Sequence, residues 1–270
     1  MMNTEGYLVI IGGAEDKNGD ITILKQAPEM LAEEDILTVL TTATEEPEQA
    51  GRDYIDVFQK IGIQNVRVLN INTRDSAADP QNCETIRNSK CIFMTGGDQL
   101  RITSILGGTP AWEELKNLYQ NGGIIMGTSA GASVMSETMV VQGKDNEPAR
   151  KCTLKMAPGL GLFPGVIIDQ HFDQRGRFGR LLCGVAENPD VLGIGIDEDT
   201  AIKLYPDMHF EIIGSNAVTI IDGKTIQSSN VSELNPDEIL AITGVTVHAL
   251  PQGYGFDLKN RKVLRLKDGN

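Results

Sequence analysis

Short apolar runs alternate with amphipathic stretches over the first two-thirds of the chain. The runs at Tyr7–Ile11, 36–40, Val66–Leu69, Cys91–Met94, 124–126 and 166–168 are rich in β-branched residues and end in Gly, Thr or Asp. Each is too short for a helix and too uniformly apolar to keep one side in water, which predicts central strands of one parallel sheet. Between them the helical period emerges. Residues 52–61 align Ile55, Phe58 and Ile61 on one face, and residues 112–119 align Leu115, Leu118 and Tyr119. Strand–helix alternation of this kind predicts an α/β fold, a doubly wound, mostly parallel sheet whose ligands sit beyond the carboxyl ends of the strands.

After about Val191 the pattern changes. Runs at 193–196, 201–204, 210–213 and 218–221 are separated by Pro206-Asp207, Gly214-Ser215 and Asp222-Gly223, with no helical period between them. They predict antiparallel strands added at the C-terminal end, with residues 243–250 as the last strand. No repeat, low-complexity tract or linker interrupts the chain, so residues 1–270 read as a single α/β domain.

Composition narrows the function classes. The 270 residues carry 24 Lys+Arg against 37 Asp+Glu, a formal net charge of −13. That charge repels phosphate, which argues against a nucleic-acid partner. No window approaches the roughly 20 apolar residues of a membrane helix. The N-terminus, Met1-Met2-Asn3-Thr4-Glu5, lacks the basic-then-apolar pattern of a signal peptide, so a cytoplasmic location is expected. Cys83, Cys91, Cys152 and Cys183 are widely spaced, without a CxxC pair, and read as reduced and non-catalytic. With three histidines scattered over different runs and no zinc-ligand spacing, neither a metal nor another cofactor is expected.

The most informative segment is Gly122-Gly123-Ile124-Ile125-Met126-Gly127-Thr128-Ser129-Ala130-Gly131-Ala132-Ser133. An apolar strand runs into Gly-x-Ser-x-Gly and then into small residues able to start a helix, which is the context of a nucleophile elbow. Gly127 and Gly131 remove the Cβ atoms that such a tight turn would bring into collision. Ser129 is thereby presented at the carboxyl end of the strand, next to a helix N-terminus that favours developing negative charge.

A serine nucleophile needs a base. His171 follows the run at 166–168 and would leave the same rim of the sheet as Ser129. His209 sits beside the turn Pro206-Asp207, and His248 lies out of phase with the apolar positions of its strand, which predicts a solvent-facing or edge position. A carboxylate should hold the imidazole in its productive tautomer. Glu198 follows another apolar run; Asp197 and Asp199 are rivals, Glu147 is a more distant one, and Asp169 is too close along its strand.

Two further segments surround this constellation. Thr95-Gly96-Gly97-Asp98-Gln99 follows the strand Cys91–Met94, and an N–H there could join that of Ala130 in an oxyanion hole. Loss of one such donor raises a barrier by about 3 kcal/mol. Gln99 could hydrogen-bond a substrate amide or carboxylate. Arg175, Arg177 and Arg180 follow His171, and in a chain this acidic they suit bidentate clamping of carboxylates. The turn Gly12-Gly13-Ala14-Glu15-Asp16-Lys17 is Gly-rich but departs from GxGxxG, so no nucleotide is assigned to it.

Taken together, Ile10-Ile11-Gly12-Gly13-Ala14-Glu15-Asp16-Lys17, Thr95-Gly96-Gly97-Asp98-Gln99, Gly127-Thr128-Ser129-Ala130-Gly131-Ala132, Asp169-Gln170-His171-Phe172 and Gly193-Ile194-Gly195-Ile196-Asp197-Glu198 resemble the cyanophycinase family. The resemblance spans nearly the whole chain in order. It implies a serine peptidase related to aspartyl dipeptidase, on a class I glutamine amidotransferase-like fold. The implied substrate is the cyanophycin polymer, a poly-aspartate backbone with arginine on each side-chain carboxylate, cut from its end into β-Asp-Arg dipeptides. Ser129 would be nucleophile, His171 base and Glu198 its orienting partner, with Gly97 and Ala130 as the candidate oxyanion donors. Gln99, Asp169, Gln170, Arg175, Arg177 and Arg180 would line the substrate site of a metal-free homodimer. A dipeptidase acting on short Asp-X peptides and an inactive ligand-binding relative are the alternatives.

Overall fold

The computed structural model describes residues 4–151 and 154–266. The terminal residues Met1 to Asn3 and Cys152 therefore lie outside the described residues. Five strands come first: β1 (Tyr7–Ile11), β2 (Leu37–Leu40), β3 (Val66–Leu69), β4 (Cys91–Met94) and β5 (Ile124–Thr128). A hairpin of β6 (Thr138–Gly143) and β7 (Leu154–Pro158) follows, then β8 (Val166–Gln170) and β9 (Leu192–Ile196). Next are β10 (Thr200–Leu204), β11 (His209–Gly214) and β12 (Ala217–Asp222). A short pair, β13 (Ser228–Ser229) with β14 (Ile242–Thr243), precedes β15 (Thr246–Pro251), β16 (Tyr254–Asp257) and β17 (Lys262–Arg265).

The helices are α1 (Gln26–Met30), α2 (Pro47–Lys60), α3 (Pro80–Arg87), α4 (Gln99–Leu106), α5 (Pro110–Gln120), α6 (Ala130–Ser133) and α7 (Phe178–Glu187). Their starts are written in the sequence. Proline opens α2, α3 and α5, where its missing N–H costs nothing, and the side chains of Asp79, Asp98 and Thr109 cap α3, α4 and α5. The buried face of α2 runs through Tyr54, Val57 and Phe58, one step round from the face through Ile55 that simple spacing suggests.

The main sheet has nine strands in the order β17-β16-β11-β10-β1-β5-β4-β2-β3. From β1 to β3 all neighbours are parallel, and from β1 outward to β17 all are antiparallel. The parallel half is covered on both faces. Leu8, Ile10, Ile92, Met94 and Ile125 join one core with Trp112 and Leu115 of α5. Val9, Ile11, Val39, Phe93 and Met126 join the other with Tyr54 and Phe58 of α2. Strict alternation of faces along strands that are apolar throughout explains why these runs carry no polar side.

Three expectations change. The run at 166–168 does not belong to the main sheet: β8 pairs in parallel with β9 in a second sheet of order β15-β12-β9-β8. An unbroken apolar run signals burial on both faces, and says nothing of which sheet supplies its partner. Strand β3 is the edge of the main sheet, with Arg67 and Val68 exposed, so it is not central. Finally, β15 is followed by two more strands, and its phase is the reverse of the expected one: Val247 is exposed, whereas His248 is half-buried with its ring 5.7 Å from that of Phe256. The packing of β16 behind β15 turns that side into the sheltered one.

Candidate active site

Strand β5 ends at Thr128 and the chain turns sharply through Ser129, which has φ +53° and ψ −108°. A left-handed φ on a non-glycine residue costs on the order of 1–3 kcal/mol and persists only when its surroundings enforce it. Here they do. A Cβ at Gly127 would lie 2.5 Å from Gly131 O, and one at Gly131 would lie 2.4 Å from Met94 O, so both flanking positions admit only glycine. The helix that follows, α6, is four residues long. Its contribution is thus the local one of an unpaired backbone donor rather than the field of a long helix.

His171 leaves the end of β8 and also has a positive φ, +48°. Its Nε2 lies 3.1 Å from Ser129 Oγ, and its Nδ1 lies 2.6 Å from Glu198 Oε1. An ionised carboxylate only accepts, so Nδ1 carries the ring proton and Nε2 is left as the acceptor for the serine hydroxyl. Burial lowers the His171 pKa, and the positive charges of Arg175 and Arg177 act in the same direction, while the Glu198 hydrogen bond works against them. The net result is a neutral imidazole at neutral pH, the form a general base requires.

The rival carboxylates are occupied elsewhere. Asp197, whose own pKa burial pushes up, accepts from the N–H groups of Asp173 and Ala217. Asp199 accepts from Asp16 N–H and the Ser215 hydroxyl, and Glu147 pairs with Arg150. His209 stacks on Tyr205 and contacts Asp207, remote from Ser129.

One short piece of backbone holds the three segments together. Ser129 N–H donates to Ile11 O at 3.1 Å, His171 N–H to Gly12 O at 2.8 Å, and Asp199 N–H to Gly13 O at 2.9 Å. Three consecutive carbonyls at the tip of β1 thus anchor the serine, the histidine and the neighbour of Glu198. Gly13, at φ +100°, lies flat against the imidazole: a Cβ there would come 2.3 Å from Cε1 of His171. Gly13→Ala should therefore displace the ring and lower kcat by about 10²-fold, the usual penalty for a misplacement of 1 Å. Steady-state kinetics on a folded variant check this.

Glu15, which spacing did not single out, is buried beneath the same turn. It accepts from Thr128 Oγ1 and Tyr54 Oη, each at 2.5 Å, and lies 3.6 Å from Lys17 Nζ. Its only sequence signal was an acidic residue in a Gly-rich turn.

The other candidates divide into two groups. Ala130 follows Ser129, and Gly97 follows Gly96, where a Cβ would come 3.4 Å from the Cβ of Ser129; among the described residues neither the Gly97 nor the Ala130 N–H is donated to a protein acceptor. Gln99 directs its side-chain NH2 at Val140 O and Val141 O, so it ties α4 to β6. Arg180 grips Asp169 with two parallel bonds and also reaches Asp145. Arg177 bonds Asp145, Asp169 and both the backbone and side-chain oxygens of Gln170. Asp169, Gln170, Arg177 and Arg180 are all buried, and they form a wall behind His171 rather than an open clamp. Of the three arginines only Arg175 is exposed. Sequence shows that three cations follow the histidine; it does not show that Asp145, far upstream, comes to neutralise two of them.

The thiols of Cys83 and Cys91 are buried away from this centre, and burial raises both pKa values. Among the described residues no helix is long and apolar enough to cross a membrane.

Comparison with known proteins bears on the chain as a whole. The model of the family described as Peptidase family S51 matches residues 8–213. The chain is 37% identical over 257 residues to a cyanophycinase of Geminocystis herdmanii, covering 94% of this chain and 93% of that protein. It is also 37% identical over 263 residues to a cyanophycinase of Trichormus variabilis, covering 97% of this chain and 88% of that one. Among solved structures, a peptidase from an acI-B1 Actinobacterium superposes with a TM-score of 0.68 at 20% identity, covering 95% of this chain and 98% of that chain, a likeness of fold.

Proposed function

Since the chain belongs to peptidase family S51, a family of serine-type peptidases, we propose that it hydrolyses cyanophycin to β-Asp-Arg dipeptides through Ser129, His171 and Glu198. The observation that carries this reading is the unbroken relay from Ser129 Oγ to His171 Nε2 at 3.1 Å and from His171 Nδ1 to Glu198 at 2.6 Å. Cyanophycinases that align with almost the entire chain supply the substrate.

The steps follow from the chemistry of the groups. Ser129 Oγ attacks an aspartyl main-chain carbonyl and passes its proton to His171 Nε2, while Glu198 stabilises the imidazolium. The oxygen that becomes negative is received by the N–H groups of Gly97 and Ala130. Collapse of the intermediate expels the amine of the next residue, which takes the proton from His171. Water then repeats the sequence on the acyl-serine, with His171 again as base.

Within the same reading the fold is of the class I glutamine amidotransferase-like type, because the nucleophile follows a central parallel strand at a strained turn and the histidine comes from a separate element. A cytoplasmic homodimer belongs to the same proposal, and sedimentation in solution decides the dimer. Of the three arginines that follow His171, exposed Arg175 is the one placed to meet a substrate carboxylate.

The test is direct. The purified protein should release β-Asp-Arg from cyanophycin, and a fluorophosphonate probe should label Ser129. Turnover of soluble Asp-X dipeptides with none on the polymer would instead favour a dipeptidase.

The pH profile provides a second check. Because burial and two arginines lower the His171 pKa, kcat/KM should hold its plateau below the ordinary histidine value and fall only as acid protonates the ring. Arg175→Ala removes one of the charges opposing protonation, so the acid limb should move towards neutral pH. A limb that stays in place would mean that Arg175 does not act on His171.

A further inference from the structure

Glu15 is a buried carboxylate that the proposed chemistry leaves without a role. The other buried acids are matched by guanidinium groups or by main-chain N–H groups. Asp169 has Arg177 and Arg180, Asp222 has Arg261, and Asp197 has the N–H groups of Asp173 and Ala217. Glu15 instead accepts from two hydroxyls, at Oε1 from Tyr54 and at Oε2 from Thr128. Lys17 Nζ, 3.6 Å from Oε1, lies 4.3 Å from the centroid of the Tyr54 ring and is partly open to solvent.

The two hydroxyls sit on parts of very different stiffness. The Tyr54 ring is packed into the core beneath the sheet, its centroid 4.4 Å from that of Phe93 and 6.2 Å from that of Phe58. Burial and the Glu15 charge raise its pKa well above the usual phenol value, so it remains a donor. Thr128 is the residue before Ser129, and a β-branched side chain has few rotamers open to it. With Oγ1 held on Glu15, the peptide that leads into the strained Ser129 is held as well. The main chain of Glu15 belongs to the turn whose Gly12 O and Gly13 O accept from His171 N–H and Asp199 N–H. Within that turn Asp16 N–H donates to Asp199 Oδ1 at 2.9 Å. One side chain thus joins the turn that anchors the histidine and its acid to the strand end that carries the serine.

We propose that Glu15 is a positioning residue for the nucleophile: through Thr128, its carboxylate sets the Ser129 hydroxyl at bonding distance from His171 Nε2. The proposal rests on the Ser129–His171–Glu198 reading above and adds a part to it. Glu15 and Thr128 are both buried, so neither is placed to meet substrate. Their loss therefore acts on the rate of attack and spares affinity, and a displacement of about 1 Å in an attacking atom costs about 10²-fold.

Two substitutions break the same bond from opposite ends. Glu15→Leu keeps the bulk without the acceptors, and Thr128→Val keeps the shape without the donor. Each should lower kcat on cyanophycin by about 10- to 100-fold at unchanged KM, counted per serine titrated to completion with a fluorophosphonate. The second-order rate of that labelling should fall in parallel. Glu15→Gln should recover most of the loss, since its amide oxygen accepts from Tyr54 and its NH2 donates to a turned Thr128 hydroxyl. The double variant Glu15→Leu/Thr128→Val should be no slower than either single one, the mark of one shared interaction. Where Glu15→Leu fails to fold, Thr128→Val alone decides. Parental kcat, losses that vanish once titrated sites are counted, additive losses, or a Gln variant as slow as the Leu variant overturn the positioning role and leave the hydrolytic reading intact. If the parent labels at Ser129 but spares cyanophycin, the substrate is overturned and the labelling rates carry the test. A parent whose Ser129 neither labels nor turns over substrate overturns the serine reading, and the positioning role with it.

Discussion

Ser129→Ala should reduce turnover of cyanophycin by about 10⁶-fold and leave the fold unchanged. The size follows from the role. Without the hydroxyl there is no acyl-enzyme, and His171 has no proton to take; what remains is the contribution of the two backbone donors and of binding. The fold is expected to survive because the turn is enforced by its glycines and by the Ser129 N–H bond to Ile11 O, which alanine keeps. Circular dichroism and thermal melting should overlay with the parent, and the variant should still bind the polymer. Turnover near the parental rate in a variant of verified mass would end the serine mechanism.

The second large effect concerns stability. Asp169 is 1% exposed and is the shared anion of Arg177 and Arg180. Asp169→Asn leaves two guanidinium groups in a low-dielectric wall with Asp145 as their only remaining carboxylate partner among the described residues. Removing one member of a buried ion network costs about 3–5 kcal/mol, because the surviving charges stay desolvated. For a chain of this size the melting temperature should fall by about 10 °C. Scanning calorimetry reads this, and a variant melting with the parent would show that Asp145 suffices. The same substitution should impair catalysis as well, since the wall it breaks is contiguous with His171.

How legible all this is from sequence depends on what kind of fact is asked for. Strands β1, β2, β4 and β5 are readable because a strand covered on both faces must be apolar throughout. The same rule misplaces 166–168, since two sheets satisfy it equally. The elbow is readable because Gly127, Ser129 and Gly131 leave few alternatives for a tight turn after an apolar strand. The carboxylate is harder: Asp197, Glu198 and Asp199 are consecutive acids, and only the turn at Asp199, with φ +47°, sends each to a different partner. The arginines show the opposite limit. Arg177 and Arg180 read as an open clamp because charge is visible in a sequence, whereas the burial of Asp169 beside them and the arrival of Asp145 depend on tertiary packing. Glu15 is invisible for the same reason, its partners Thr128 and Tyr54 being brought to it only by the folded sheet.

The three carbonyls of Ile11, Gly12 and Gly13 make the proposed catalytic centre a late product of folding. The segments they gather come from positions around 129, 171 and 199, and β1 itself sits between β5 and β10 in the interior of the nine-stranded sheet. A ribosome-bound chain that has not yet released the region beyond residue 199 has nowhere to assemble the relay.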